Sequence, residues 1–250
     1  LPAPKGKQRV KFKAMVVGAT GAIGSVCARL LAKAAEEVYM VSPETAKLLA
    51  LKESILLETP DAKVFLSARA DKDIAEMDMI VTATSGAGKK VLDIMRVKPG
   101  CVITDVARPL DLPASEVAKR PDVLVIESGE ILLPGDVQMK NIGLPKGVAY
   151  ACLAETIVLA LEGRFENFTV GRAIEWEKVR EIYQLGLKHG MKLAAISGVN
   201  GPFSDSDIEH VRTLALAARA KTALAAVAAK PMPKPKTKVV KRRAVATAKD

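Results

Sequence analysis

The sequence predicts an α/β fold in which helices cover both faces of a doubly wound parallel sheet. Short apolar runs alternate with helical segments along the chain, some of these runs are apolar throughout, and the first one ends in a glycine turn. Strands that alternate with helices form parallel sheets, and continuous apolar runs are typical of strands buried on both faces. With 250 residues, the chain is long enough for one large domain of this kind with appendages.

The glycine turn follows the first predicted strand, Ala14–Val17, and precedes a predicted helix, Ser25–Ala35. In a Rossmann-type domain, this order of strand, turn and helix binds the pyrophosphate of a dinucleotide. The glycines allow the turn and a close approach of backbone N–H groups, and the N-terminus of the helix favours an anion. The predicted binding residues of the turn are Gly18, Ala19, Thr20, Gly21, Ala22, Ile23 and Gly24.

The second predicted strand, Glu37–Ser42, ends where a Rossmann-type domain binds the adenosine ribose. An acidic side chain there accepts a hydrogen bond from the 2′-hydroxyl of NAD, whereas small polar or basic side chains suit the 2′-phosphate of NADP. Ser42 at the end of the strand and Lys47 downstream favour NADP(H) as the cofactor. Glu44 is evidence in the other direction, so NAD(H) is not excluded.

Four more strands complete the predicted sheet. They are Ala62–Leu66, Met79–Thr84, Cys101–Asp105 and Val123–Glu127, with helices predicted over Thr45–Leu57, Asp71–Glu76 and Lys89–Met95. Cofactors of Rossmann-type domains lie against the carboxyl ends of the strands. The loop after the fourth strand therefore adds Ala83, Thr84 and Ser85 to the predicted cofactor-binding residues.

Three helices are predicted after the sheet, over Val148–Leu161, Glu175–His189 and Ser204 to about Ala229. Ser204 and Asp207 form a start like a capping box for the third helix. The predicted organisation is a basic arm at residues 1–13, a Rossmann-type dinucleotide-binding domain with C-terminal helices packed on it at 14–200, an alanine-rich helix at 201–229 and a disordered basic tail at 230–250.

The net charge of +10 comes from the two ends of the sequence. Residues 1–13 hold five Lys or Arg, residues 230–250 hold eight against one Asp, and the remainder is slightly acidic. We expect the ends to be solvated and to recognise no specific nucleic acid, with non-specific contact to anionic partners as the alternative. No uncharged apolar run reaches the roughly 18 residues of a membrane span, and three cysteines without metal-type spacing suggest a reducing, cytoplasmic compartment.

Cys152 is the most reactive candidate for chemistry, because it lies within about one turn of the start of the helix predicted after Gly147. A helix N-terminus stabilises a thiolate, which is the nucleophilic form of cysteine. The alternative is a small residue buried in that helix, and the pattern alone favours this alternative. Cys27 and Cys101 are predicted to be structural.

Other polar residues leave alternatives open. His189 could act as an acid or base, but its position at a helix C-terminus favours a structural role. Glu155 could orient a partner of Cys152 or be an ordinary first-turn acid. Asp105, Arg108 and Asp111 follow the fifth strand, where they could line the cleft or form a surface ion pair.

Four segments occur in an order that resembles one protein family. They are Gly18–Ser25, Ala151–Glu155, Glu166–Arg172 and Lys188–Gly190, and the resemblance covers residues 13–196. They look like the carboxyl-terminal, cofactor-binding part of aldehyde-forming long-chain acyl-[acyl-carrier-protein] reductases. The cysteine segment and the Glu166–Arg172 segment are more specific than the glycine turn, which many Rossmann-type domains share.

The resemblance implies an NADP(H)-dependent oxidoreductase of fatty acid metabolism. In that family, a cysteine matched here by Cys152 attacks an acyl thioester, carried by acyl-carrier protein or coenzyme A, and hydride releases an aldehyde from the acyl-enzyme. Family members also have a substrate domain upstream, which is expected before Leu1. Two alternatives are a non-covalent NADP-dependent dehydrogenase resembling shikimate dehydrogenase, and a dinucleotide-binding module without catalysis.

Overall fold

The structure is a computed structural model, and it describes residues 11–86, 90–171 and 174–228. The first half consists of β1 (Lys13–Val17), α1 (Ala22–Ala34), β2 (Glu37–Val41), α2 (Thr45–Glu58), β3 (Val64–Ser67), β4 (Met79–Thr82), β5 (Val102–Asp105), α3 (Ala114–Val117) and β6 (Leu124–Glu127). Three 3₁₀ turns also lie in this half, over Ala70–Lys72, Ile74–Glu76 and Ile94–Arg96.

The six strands of this half form a parallel sheet in the order β3-β2-β1-β4-β5-β6. This is the order of a Rossmann-type sheet, in which two βαβαβ halves meet between β1 and β4. At that junction Val17 is in register with Thr82, and Thr82 is in register with Asp105 on β5. The predicted fold class is therefore confirmed.

Both faces of the parallel sheet are covered. Met15 and Val17 of β1 pack on one face with Ile74, Ile94 and other residues from the 3₁₀ turns. Ala14 and Val16 pack on the other face, against apolar residues of α1 and α2 such as Leu31, Leu48 and Ile55. Because successive side chains of a strand point to opposite faces, a strand covered on both faces is apolar throughout, as the sequence indicates here.

The second half continues with β7 (Glu130–Leu132), β8 (Val148–Tyr150), α4 (Ala151–Leu161), α5 (Trp176–Lys188), β9 (Lys192–Leu193), β10 (Ser197–Gly198), β11 (Gly201–Pro202) and α6 (Asp205–Ala228). Strands β10 and β11 extend the first sheet next to β6 in antiparallel orientation. Strands β8, β7 and β9 form a separate antiparallel sheet, which the sequence does not predict.

The helix predicted from Val148 begins only at Ala151. The preceding residues, Val148–Tyr150, are strand β8, because they pair with β7 over Leu132↔Val148 and Glu130↔Tyr150. This pairing joins distant parts of the chain, so local periodicity does not reveal it. Helix α4 packs against this second sheet through an apolar cluster formed by Leu133, Ala149, Ala154, Val158 and Met191, and Ile182 and Leu185 of α5 pack against the same cluster.

Two other predicted helices are shorter than expected. The prediction over Asp71–Glu76 corresponds to two 3₁₀ turns, and the one over Lys89–Met95 to the turn at Ile94–Arg96. Lys89 itself lies outside the described residues, as do Arg172, the first ten residues of the basic arm and the tail at 230–250. The proposed division of the chain at these ends remains a prediction.

Helix α6 begins with the predicted cap and packs beside the start of β5. The Ser204 N–H donates to Asp207 Oδ2 over 2.8 Å, and the Asp207 N–H donates to Ser204 Oγ over 3.2 Å. Further along, Arg219 Nε donates to the carbonyl of Pro99 over 2.8 Å. Within the described ranges, no helix combines the length and the hydropathy that crossing a membrane requires.

Candidate functional site

A cavity of about 920 Å³ lies at the carboxyl ends of β1, β2 and β4, where the two halves of the parallel sheet meet. Its volume is in the range of cofactor sites, about 300 to 1,000 Å³. Nine of the predicted cofactor-binding residues line it, namely Gly18, Thr20, Gly21, Ala22, Ile23, Ser42, Ala83, Thr84 and Ser85. The predicted residues Ala19 and Gly24 are not among its lining residues.

The glycine turn is closely packed, and this explains why Ala19 and Gly24 lie behind the cavity. Gly18 has φ +83°, and a Cβ on it would lie 2.5 Å from the carbonyl oxygen of Ala83. A Cβ on Gly24 would lie 2.2 Å from the carbonyl oxygen of Gly18, so α1 approaches the turn only because Gly24 lacks one. Ala19 is fully buried in the core. The turn thus has the tight geometry expected for a pyrophosphate site.

The N-terminus of α1 is open to an anion. Gly21 is the N-cap residue of α1 and provides no side-chain hydrogen bond to the first turn. The first N–H groups of a helix have no partner within the helix, and together with the helix dipole they favour negative charge. The residues present therefore fit the pyrophosphate of a dinucleotide.

A buried carboxylate holds the loop after β4. Asp111 accepts hydrogen bonds from the backbone N–H of Thr84 over 3.0 Å and from Thr84 Oγ1 over 2.6 Å. Thr84 Oγ1 in turn accepts a hydrogen bond from the Gly86 N–H over 3.0 Å. Asp111 thus positions the loop whose residues line the cavity, and among the described residues it forms no surface ion pair.

Asp105 fixes the segment that presents Asp111. Its buried carboxylate accepts hydrogen bonds from the N–H groups of Ala107 over 3.1 Å and Leu112 over 2.9 Å. Burial raises the pKa of Asp105, although these two hydrogen bonds act in the opposite direction. Arg108, the third open candidate, donates to the carbonyl of Ser128 over 3.1 Å and lies 3.7 Å from the carboxylate of Glu127.

The cavity also has lining residues that the sequence analysis did not assign to the cofactor. They are Val17, Val41, Pro43, Glu44, Ala68, Arg69, Ala70, Asp71, Lys90, Val91, Leu92, Asp93 and Arg96. Most follow β3 or belong to the irregular segment before β5. Neither segment has a periodic pattern or a motif that would indicate a binding role. Glu44 lies outside both segments, and only its position close after the second strand indicates such a role.

Cys152 is the second residue of α4 and is exposed. The alternative of a small residue buried in the helix is therefore wrong, because the helix turns this position away from the apolar cluster that holds Ala154 and Val158. The N–H of Ala151 donates to the carbonyl of Gly129 over 2.7 Å. Since Gly129 lies two residues beyond the end of β6, the N-terminus of α4 lies at the same sheet edge as the cavity, although Cys152 does not line that cavity.

The other two cysteines are poorly suited to nucleophilic chemistry. Cys101 is buried next to β5, and burial raises the pKa of its thiol to about 12. Cys27 is half-buried in α1, and burial also raises its pKa. Both thiols are protonated at neutral pH, which agrees with the structural roles predicted for them.

His189 and Glu155 have structural partners. The His189 imidazole contacts the carboxylate of Glu162, which also accepts a hydrogen bond from Lys188 Nζ over 2.8 Å and has a lowered pKa because of both contacts. Glu162 lies ten residues beyond Cys152, about 15 Å along a helix. Glu155 accepts a hydrogen bond from Thr169 Oγ1 over 2.6 Å and so holds the segment that follows α4.

The curated proteins that are similar to this chain include an aminotransferase and a reductase. The aminotransferase PigE of Serratia sp. is 33% identical over 181 residues, which cover 70% of this chain and 21% of PigE. The long-chain acyl-[acyl-carrier-protein] reductase of Synechococcus elongatus is 28% identical over 189 residues, covering 73% of this chain and 53% of that protein. The chain thus spans about a fifth and about half of the length of these two relatives. No protein-family model matches the chain.

Among solved structures, the lactate dehydrogenase of Eimeria maxima with NADH and oxamate is similar to this chain with a TM-score of 0.42 and 13% identity. The superposition covers 90% of this chain and 98% of the dehydrogenase chain. At this score the likeness is too loose to support a functional conclusion. The strand order, the glycine turn and the cavity at the junction of the two halves describe a Rossmann-type domain whose residues fit a nucleotide cofactor.

Proposed function

We propose that this chain is the cofactor-binding part of an NAD(P)(H)-dependent reductase that converts a long-chain acyl thioester into an aldehyde through an acyl-enzyme on Cys152. The observation that carries the proposal is the exposed thiol of Cys152 at the N-terminus of α4, on the sheet edge that also holds the glycine-turn cavity. The match to a long-chain acyl-[acyl-carrier-protein] reductase supports this substrate class.

The position of Cys152 suits a nucleophile. Tyr150 provides no side-chain cap for α4. The Ala151 N–H is bonded to the Gly129 carbonyl, and the next N–H groups of the first turn lie where they can stabilise a thiolate at the helix N-terminus. The thiolate attacks the carbonyl carbon of the thioester, a new C–S bond forms and the C–S bond to the carrier breaks. The carrier leaves as a thiolate and takes up the proton that Cys152 released.

The cavity holds the cofactor in this proposal. The turn from Gly18 to Gly24 and the N-terminus of α1 would hold the pyrophosphate, and Asp111 fixes Thr84, whose loop lines the cavity. When bound, the reduced nicotinamide would supply the hydride for reduction of the acyl group to the aldehyde.

The two parts of the proposed site are joined by hydrogen bonds at the sheet edge. The N–H of Ser128 donates to the carbonyl of Asp105 over 3.2 Å, and Gly129 accepts from Ala151, the residue before Cys152. On the other side, the carboxylate of Asp105 fixes the segment that carries Asp111 to the cavity. A short path of fixed backbone thus links the predicted nucleophile to the predicted cofactor site.

The test is the oxidation of NADH or NADPH, followed by absorbance, with a panel of long-chain acyl-CoA and acyl-carrier-protein thioesters. We expect turnover with the unmodified chain, loss of at least about 100-fold in Cys152→Ser, and little change in Cys27→Ser. Turnover that survives in Cys152→Ser would instead indicate a non-covalent dehydrogenase. Tight cofactor binding without oxidation by any thioester would indicate a binding module.

A further inference from the structure

We propose that Glu155 is a positioning residue for the acyl-transfer step. It holds residues 165–171, which we call the Thr169 segment, beside Cys152, where they form one wall of the acyl-thioester site. This inference rests on the proposed function and deepens it, because it names residues of this chain that contact the alkyl part of the substrate. Helix α4 and the Thr169 segment meet at the carboxylate of Glu155.

Glu155 accepts hydrogen bonds from both donors of Thr169. The Thr169 hydroxyl lies 2.6 Å from Glu155 Oε1 and 2.5 Å from Glu155 Oε2, and the backbone N–H of Thr169 donates to Oε1 over 3.3 Å. Both residues are half-buried. A hydrogen bond to an ionised carboxylate is about twice as strong as one between neutral groups. The contact therefore fixes the Thr169 segment to α4.

The contact lies at the turn of α4 that carries Cys152. Cys152 and Glu155 are at positions i and i+3 of this helix, so their Cβ atoms lie about 5 to 6 Å apart on its surface. Helical side chains lean toward the N-terminus of their helix, and a long side chain covers the turn before its own Cα. The carboxylate of Glu155 therefore lies toward Cys152, and the bound Thr169 lies there with it. This places the Thr169 segment next to the proposed nucleophile.

The Thr169 segment is anchored by one side chain and exposes others that are apolar. Phe168 is buried, and the guanidinium of Arg164 lies 4.8 Å from the centroid of its ring. Val170 is 68% exposed and Phe165 is 90% exposed. Burial of apolar surface is the main favourable contribution to the binding of an alkyl chain. Val170, one residue beyond the contact with Glu155, therefore offers apolar surface to the alkyl chain of a thioester at the helix N-terminus.

A carboxylate close to a cysteine could alternatively act as the base that removes the thiol proton. In the part of the chain that the structure describes, no hydrogen bond joins Cys152 to Glu155, and both donors of Thr169 point at the carboxylate instead. A nearby negative charge also disfavours the thiolate that the reaction needs. These two observations favour a role of Glu155 in holding the Thr169 segment over a role in proton transfer.

The experiment follows the acylation of Cys152 in the full chain by intact mass, with palmitoyl-CoA and with butyryl-CoA. The ratio of the palmitoyl rate to the butyryl rate reports contacts to the alkyl chain, because a change in thiol reactivity alters both rates alike. We expect Glu155→Ala, Thr169→Val and Val170→Ser each to lower this ratio at least about fivefold. Glu155→Gln keeps an oxygen that accepts from Thr169 and should stay within about twofold of the unmodified chain. Glu177→Ala, at an exposed position of α5, is the matched control and should leave the ratio unchanged.

An unchanged ratio in Glu155→Ala or in Thr169→Val would overturn the proposal. A loss of both rates in Glu155→Gln as large as in Glu155→Ala would also overturn it, because the charge would then act in proton transfer. Val170→Ser changes an exposed side chain and tests the wall even if the other variants do not fold, and an unchanged ratio there would contradict the proposal. If Cys152 of the unmodified chain takes up no acyl group from either thioester, the proposed function fails together with this inference. Acylation with an unchanged ratio in the variants refutes this inference alone.

Discussion

At the scale of single residues, Gly24 leaves the least room for a side chain among the described glycines. A Cβ there would lie 2.2 Å from the carbonyl oxygen of Gly18, so Gly24→Ala must push α1 away from the glycine turn. We expect a loss of about 1 to 3 kcal/mol in the free energy of unfolding, measured by urea denaturation, together with weaker dinucleotide binding.

Gly186 is a matched control for that substitution, because it lies in α5 and a Cβ on it would come no closer than 3.9 Å to a neighbouring atom. Alanine is the better helix former, so Gly186→Ala should raise the free energy of unfolding by about 0.5 to 1 kcal/mol. If the two variants changed stability in the same direction, the packing described for the glycine turn would be wrong.

The three thiols should differ sharply in reactivity. Cys152 is exposed, whereas burial keeps Cys27 and Cys101 protonated at neutral pH. Brief treatment of the native protein with iodoacetamide should therefore label one thiol, and peptide mapping should place the label on Cys152. After unfolding, all three should react at similar rates. Equal labelling of the native protein in a Cys152→Ser variant would contradict this assignment.

The residues of the cofactor turn could be predicted, because their glycine spacing lies within one short segment. Asp111 could not be assigned in the same way. Its partner Thr84 is 27 positions earlier in the chain, and only the fold brings the two together. The position of Glu44 just after the second strand is visible in the sequence, but its hydrogen bond with Thr20, which is 24 positions away, is not.

At the scale of secondary structure elements, Arg120 holds the 3₁₀ turn before β5 to the segment before β6. Its guanidinium donates to the carbonyls of Ile94 over 2.8 Å and Val97 over 2.7 Å, and it forms two hydrogen bonds of 2.8 Å with Asp122. A lysine cannot reproduce this fork. We expect Arg120→Lys to lower the free energy of unfolding by about 1 to 3 kcal/mol, whereas Arg212→Lys, in an exposed pair on α6, should change it by less than about 1 kcal/mol.

The same pair gives a pH dependence. The Arg120 guanidinium lowers the pKa of Asp122 below its ordinary value, so the folded state binds a proton there less readily than the unfolded state does. The stabilisation is therefore present above the unfolded pKa of about 4 and is lost as the pH falls through the lower folded value. The free energy of unfolding, measured by denaturation between neutral and acidic pH, should show this loss, and the loss should be smaller in Asp122→Asn. If the free energy of unfolding of Asp122→Asn fell by the same amount on the acid side, other carboxylates would be its cause.

The parallel strands could be predicted, because each is an apolar run bounded by turn residues. The antiparallel strands β7 to β11 could not, because segments of two or three residues have no periodicity to detect. The start of α4 at Ala151 could not be predicted either, because it depends on the pairing of β8 with β7, and β8 is too short to show a strand pattern. That start places Cys152 nearer the N-terminus of the helix than the sequence indicated.

At the scale of the whole molecule, the chain combines a parallel sheet that carries a nucleotide-sized cavity with a smaller antiparallel sheet that supports α4. Ligand binding at the cavity should stabilise the entire fold, because the unfolded chain has no such site. At a ligand concentration of 100 times Kd, we expect a gain of about 2.7 kcal/mol and a rise in Tm of roughly 5 to 10 °C in a thermal scan with NADH. The Gly18→Ala variant should show no rise, and an equal rise in that variant would place the ligand elsewhere.

The central claim is that Cys152 receives the acyl group, and the intact mass of the protein after incubation with a long-chain acyl-CoA tests it most directly. We expect the unmodified chain to gain the mass of one acyl group, to lose it when NADH or NADPH is added, and to release the corresponding aldehyde. Cys152→Ser should gain nothing, while Cys27→Ser should behave like the unmodified chain. An acyl adduct that persists in Cys152→Ser, or aldehyde formed by that variant, would contradict the proposed mechanism.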